Sequence, residues 1–177
     1  MNAVDHAYPI GKFEPPAEID AALREKLLAE LEAAPRRLRE AVERLSDSQL
    51  DTPYRDGGWT VRQVVHHLTD ADVNAYVRTK IALTENEPMV RYWEQEPWAE
   101  LPDAKHGPIE PSLALFESLH AWWLAGMRLL PVESFGRRFR HPRLGMITVD
   151  LHLALYDWHC RHHIAQIASL AARRGWK

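Results

Sequence analysis

An all-α bundle of four helices is the fold class that this 177-residue chain predicts. Four long segments repeat apolar residues at spacings of three and four, and the connections between them are rich in proline. No segment alternates apolar and polar residues convincingly over the length of a strand. With 46% hydrophobic and 27% charged residues, the chain is expected to form one domain over residues 1–177 and to bury most of its apolar surface.

The first helix is expected within "PPAEIDAALREKLLAELEAAPRRLREAVERLS" (15–46). It opens on proline and acids and carries Leu23, Leu27, Leu28 and Leu31, then Leu38, Val42 and Leu45, at helical spacing. Pro35 should kink or restart it, since proline has no N–H for the ladder. "WTVRQVVHHLTDADVNAYVRTKIALT" (59–84) is the second, with Thr60 and Gln63 at capping-box spacing and "DGG" supplying the turn before it. A third runs over about 111–130. The fourth follows Thr148 and ends near Gly175, with Arg173 and Arg174 placed to favour its C-terminal dipole. Of the two long connections, 85–110 holds four prolines with Tyr92, Trp93 and Trp98, and is expected to cap one end of the bundle or to pack its aromatics on helix ends. The other, 133–148, carries Arg137, Arg138, Arg140, His141 and Arg143 and reads as a solvated loop, or as arginines at the bundle mouth recruiting an anionic substrate.

Composition narrows the function. The 22 basic and 25 acidic residues leave a net charge of −3, without the basic footprint that drives nucleic-acid binding. A single cysteine, Cys160, excludes an internal disulfide. The stretch "MNAVDHAYPI" has no apolar core of a signal peptide, and no run approaches the ~18 apolar residues of a membrane span. A soluble, cytoplasmic protein without membrane or nucleic-acid partners is expected.

Chemistry concentrates in "YDWHCRHHIAQIASL" (156–170), where three imidazoles interrupt a run otherwise suited to a core. An imidazole buried without partners costs a few kcal/mol of desolvation, so a ligand is expected to meet them. At about 100° per residue His159 and His163 share one helix face and can converge on a single ion, whereas His162 points roughly 100° away. A catalytic metal usually takes three protein ligands and keeps one position open, so a third imidazole must come from another helix. "VVHHLTD" offers His66 and His67, only one of which can face the interior. Periodicity leaves the choice open. His67 shares its face with Gln63, Ala71 and Asn74, a small and polar stripe with room for a ligand, while His66 lines up with Arg62 and Asp70 in what reads as a surface stripe.

"YPIGKFEPP", "YRDGGWTVRQVVHHLTDADVNAYVRTK" and "LYDWHCRHHIAQI", taken in order, resemble the DinB superfamily and in particular its YfiT-like branch of metal-dependent hydrolases. The likeness runs over nearly the whole chain. It implies a four-helix bundle with long proline-rich loops, one divalent ion per chain, zinc or nickel, on His67, His159 and His163, and a homodimer. Asp72 and Gln166 depart from the pattern, standing where relatives can carry histidine. The implied activity is hydrolysis of a small-molecule substrate by a water made nucleophilic on the metal. Relatives that attach a low-molecular-weight thiol such as bacillithiol to electrophiles supply an alternative chemistry, and a metal-stabilised binding or stress-response module without turnover is a third. Candidates for a general base are His152, two turns before His159 on nearly the same azimuth, and Tyr156 between them. Cys160 reads as a buried inert thiol, and Trp59 as a hydrophobic staple or core anchor.

Overall fold

The computed structural model describes residues 5–176; readings that involve residues 1–4 and Lys177 lie outside them. Asp20 opens the first helix, its carboxylate accepting the backbone N–H of Leu23 at 2.8 Å, and α1 runs unbroken over Ala21–Val42. Residues 15–20, expected to be helical, are irregular; Pro15 and Pro16 push the residues before them out of the helical region. Pro35 lies inside α1 and does not restart it. A short α2 (Asp47–Leu50) is closed by a Ser46–Gln49 capping box. The longer α3 (Val61–Thr84) begins with the box its spacing predicts: the Gln63 N–H donates to the Thr60 hydroxyl at 3.2 Å and the Gln63 carboxamide accepts from the Thr60 N–H at 2.9 Å.

The segment 85–110 is not structureless. It folds into α4 (Gln95–Ala99) and α5 (Pro102–His106), both laid against α3. After α6 (Glu110–Arg128) and a 3-10 turn (Val132–Gly136) comes an antiparallel hairpin, β1 (Arg138–His141) with β2 (Gly145–Thr148), Phe139 facing Ile147 across it. No strand was expected here. Four residues with one inward apolar side chain, as in "RFRH", carry too little alternation to register as period two. Two of the arginines read as solvated serve as braces: the Arg137 guanidinium donates to the Ala82 and Glu85 carbonyls at the C-terminal end of α3, at 2.8 and 2.6 Å, and Arg138 pairs with Glu87. The last helix, α7 (Val149–Arg174), is capped by the Thr148 hydroxyl, which accepts the Leu151 N–H at 3.1 Å, and ends on Gly175 at φ +64°, a left-handed conformation that glycine tolerates.

Four helices form the bundle: α1 and α3 each pack mainly on α6 and α7, which puts α1 and α3 on one diagonal. Leu31, Leu38, Leu68, Phe116, Leu153 and Ile167 are fully buried between them. One polar chain crosses this core. Pro35 has no N–H to return to the Leu31 carbonyl, and that carbonyl accepts instead from Nδ1–H of His120 on α6, at 2.8 Å. The other ring nitrogen of His120 bonds Asp72 Oδ2 on α3 at 2.6 Å, and the Cys160 thiol on α7 donates to the same oxygen at 3.3 Å. All four bundle helices are therefore tied by a pin of buried polar groups, and Cys160 adjoins His159 in sequence. Burial, then the neighbouring Asp72, push the Cys160 thiol well above its ordinary pKa, so it stays an S–H donor, as the inert reading expected.

Candidate metal centre

His67 enters from the first half of α3, and His159 and His163 from consecutive turns of α7. Their ring centroids lie 4.6 to 5.2 Å apart, and one nitrogen from each lies within 4.8 Å of the others. Nε2 of His67 and Nε2 of His159 are 3.2 Å apart. His67 and His163 are buried and His159 partly so. Burial first, and the neighbouring imidazoles second, hold all three well below the ordinary histidine pKa. They are neutral rings with lone pairs to offer, the state in which imidazole binds a metal.

Gln166 orients the third ring. Nδ1–H of His163 donates to Gln166 Oε1 at 2.8 Å, which leaves Nε2 as the lone-pair nitrogen turned toward the other two histidines. The carboxamide nitrogen of Gln166 is itself held, donating to the Ala7 carbonyl at 2.9 Å and to Nε2 of His162 at 3.0 Å. No sequence pattern marks this residue as a partner of the site except its position three after His163 on the same helix. The donor set fits a divalent ion: three uncharged nitrogens converge, and the hydrogen-bond partner of one ring fixes its tautomer.

Tryptophans wall the centre. Trp59 packs on the His67 ring with centroids 4.6 Å apart and stacks on His163 at 6.4 Å. Trp93 stacks on His67 as well, at 5.8 Å. Trp59 is thus part of the site as well as packed against the core, as the anchor reading expected, and is carried there by the short loop whose ends meet at the Pro53–Thr60 bridge. Trp93 arrives on the connection that leads to α4, so that connection covers the site side of α3.

His66 turns the other way, toward Ser112 Oγ at 2.7 Å and the Gly107 carbonyl at 3.3 Å. Its stripe is not on the surface. Arg62 is buried, paired with Asp47 at 2.9 Å and Asp51 at 2.7 Å, and burial, then Asp103, raises the Asp70 carboxyl to about 6. The segment around α5, together with α2, covers what the helix alone would expose.

His152 and Tyr156 touch each other but differ in their access to the site. His152 is buried, bonds the Ala75 carbonyl through Nε2 at 3.2 Å and packs on Phe139 and Tyr156; it lines neither of the cavities that reach His159. Tyr156 lines a cavity of about 210 Å³ together with His159, its ring centroid 5.7 Å from that histidine. Burial pushes its phenol above the ordinary tyrosine range. A second cavity of about 500 Å³, lined by Tyr8, Trp59, His163 and Gln166 among others, also reaches His159.

Known proteins are similar to this chain in sequence, and a solved structure shares its arrangement of helices. The candidate metal-dependent hydrolase YfiT of Bacillus subtilis is 48% identical over 177 residues, 99% of each chain, and a candidate metal-dependent hydrolase of Oceanobacillus iheyensis is 43% identical over 173 residues, 98% of this chain and 100% of that one. A solved structure of Bacillus subtilis YfiT, described as a four-helix bundle of unusual topology, superposes with a TM-score of 0.95 at 47% identity, covering 98% of this chain and 100% of that one. The family model of the DinB superfamily matches residues 30–167, a span that includes all three converging histidines, and the chain belongs to that superfamily.

Proposed function

We propose that the chain is a metal-dependent hydrolase in which His67, His159 and His163 hold one divalent ion, zinc or nickel. The observation that carries this reading is the convergence of three neutral imidazole nitrogens within 4.8 Å, beside a cavity of about 500 Å³ that would admit a small molecule. An ion on three imidazoles supplies Lewis acidity, enough to polarise a carbonyl or ready a water for attack near neutral pH. The chain's own residues do the rest. Gln166 fixes His163, and Trp59 and Trp93 keep water from the flanks of His67. Tyr156, with its phenol held protonated by burial, donates its O–H to substrate in the cavity it shares with His159. His152 packs on the Tyr156 ring with centroids 4.7 Å apart and, lining neither cavity, is assigned a supporting role and not that of the base. The names of the YfiT relatives favour the same activity. The reading extends to a cytoplasmic homodimer: Leu115 and Trp122, on α6, are 50% and 68% exposed, an apolar face that a second copy would cover. No helix among the described residues is long and apolar enough to cross a membrane.

The test is a turnover screen of esters and amides with zinc- and nickel-loaded protein, product masses being read with and without a low-molecular-weight thiol. Hydrolysis products that need metal but no thiol are expected. An electrophile gaining the mass of the thiol would make the protein a transferase, and stoichiometric metal with no turnover in either arm would make it a binding module.

A further inference from the structure

The 210 Å³ cavity beside His159 holds a buried positive charge, and no acid is among the residues that line it. Arg78, on α3, is 6% exposed. No carboxylate among the described residues lies within 4.0 Å of its guanidinium, although Arg62, buried to the same degree on the same helix, has two. Nη2 donates to the uncharged Arg91 carbonyl at 3.0 Å, and Nη1 lies 3.4 Å from Nε2 of His141, whose Nδ1 accepts the Arg143 and Leu144 N–H groups, so that in the neutral ring Nε2 carries the hydrogen and does not accept from Arg78. His141 cannot supply the missing negative charge, and burial followed by Arg78 and Arg143 holds its pKa down to about 4, so it stays neutral. A second guanidinium, Arg143, stands at the same cavity, tethered by its donation to the Tyr92 hydroxyl at 2.6 Å. No aspartate or glutamate lines this cavity. Burying one member of an ion pair without the other is strongly unfavourable, so a chain that keeps such an arginine beside its reaction centre implies a partner from outside.

We propose that this cavity is a subsite for the negatively charged, carboxylate-bearing end of the substrate, recognised by the fork of Arg78 with Arg143 at the rim. Guanidinium and carboxylate match in planar geometry, and their hydrogen bonds are strengthened by charge. One buried monocation suits a monoanionic carboxylate better than a phosphate dianion, and the rings of Tyr92 and Trp93 on the walls suit an aromatic or apolar body behind it. Both cavities share His159, Trp158, Gln95 and Arg143. A substrate anchored at Arg78 can therefore extend past His159 toward the larger cavity, where its scissile group would meet the three histidines. This assignment rests on the hydrolase reading only for the identity of that group.

The test is calorimetric titration of the zinc-loaded full chain with benzoate, benzamide and inorganic phosphate, repeated on Arg78→Met and Arg78→Lys. Benzoate should bind saturably, and more tightly than either benzamide or phosphate. Arg78→Met should weaken it by about tenfold or more, the loss expected for a charged hydrogen-bonded pair, while Arg78→Lys, with the charge but not the fork, falls between. The melting temperature of Arg78→Met should stay level or rise, because an unbalanced buried charge has been removed. A purely structural arginine would instead lose stability and leave benzoate binding alone. Benzoate binding unchanged in Arg78→Met, equal binding of benzamide, tighter binding of phosphate, or no saturable benzoate heat in the unaltered chain would each overturn the assignment. Because binding is read without turnover, a protein that binds benzoate through Arg78 but hydrolyses nothing sinks the hydrolase and leaves the subsite standing.

Discussion

Replacing His120 by Leu probes the polar pin, and a second change at Pro35 makes the test specific. His120 is 1% exposed and Asp72 not at all. Losing the imidazole strips the carboxylate of its 2.6 Å partner and leaves only the weak thiol donor. Breaking a buried pair in this way costs about 3–5 kcal/mol. The same substitution takes the donor from the Leu31 carbonyl, which Pro35 cannot replace, and an unsatisfied buried carbonyl costs about 1–3 kcal/mol. Part of the total is therefore conditional on the proline. In a Pro35→Ala background residue 35 regains an N–H and the Leu31 carbonyl a helical partner, so the His120→Leu penalty should shrink by about 1–3 kcal/mol. Urea unfolding of the four proteins of the cycle, followed by circular dichroism at 222 nm, measures this coupling. Additivity to within about 0.5 kcal/mol would refute the claim that the histidine answers for the bond the proline removes.

The remaining predictions concern the metal and pH. Gln166→Leu should lower metal affinity by roughly 10–100-fold in competition with a chromophoric chelator, as expected when a ligand histidine loses its orienting partner. Alanine at His67, His159 or His163 should abolish stoichiometric metal in elemental analysis, whereas His66→Ala, which only frees Ser112 and the Gly107 carbonyl, should retain it. Removing the ion with a chelator should lower the melting temperature by about 5–10 °C, since a ligand at a hundredfold excess over its Kd contributes about 2.7 kcal/mol. Burial holds the His152 imidazole down to about 3. The unfolded chain takes up that proton below about pH 6.5 and the folded chain does not, so this contribution is complete above pH 6.5 and is lost as pH falls toward 3, at about 1.4 kcal/mol per pH unit. Urea midpoints at pH 7 and 5 should show a shallower loss in His152→Leu, by about that slope.

What could be read from the chain was local. Thr60 with Gln63 marks the start of α3, Gly175 the end of α7, and the spacing of His159 and His163 their shared face, because each signal lies within one or two turns of helix. The choice of His67 over His66 needed more than periodicity, since both sides of α3 are covered in the fold, one by the tryptophans and one by α5. The polar pin could not be read at all: His120 lies 48 residues from Asp72 and 89 from Leu31, and nothing near it in sequence distinguishes it from a surface histidine. Trp59 was invisible as a site residue for the same reason, its histidine partners being supplied by tertiary packing, whereas Gln166 lies one turn from His163 and only its bond to the Ala7 carbonyl is long-range.

The bond from Gln166 to the Ala7 carbonyl bears on how the protein should be handled. Tyr8 lies against His162 with ring centroids 5.5 Å apart, and the Trp158 indole N–H donates to the Gly11 carbonyl at 3.3 Å, so the stretch from Ala7 to Gly11 is seated on α7 directly over the ligand-bearing turns. Any change of sequence that unseats this stretch would reach the ring of His163 through Gln166, so material extended at the N-terminus should be compared with material extended at the C-terminus. Preparations tagged at opposite ends should then differ in metal content under identical buffers, and a polyhistidine leader would add its own competition for the ion. Recombinant material for metal analysis is better tagged beyond Trp176, on the far side of the Gly175 cap.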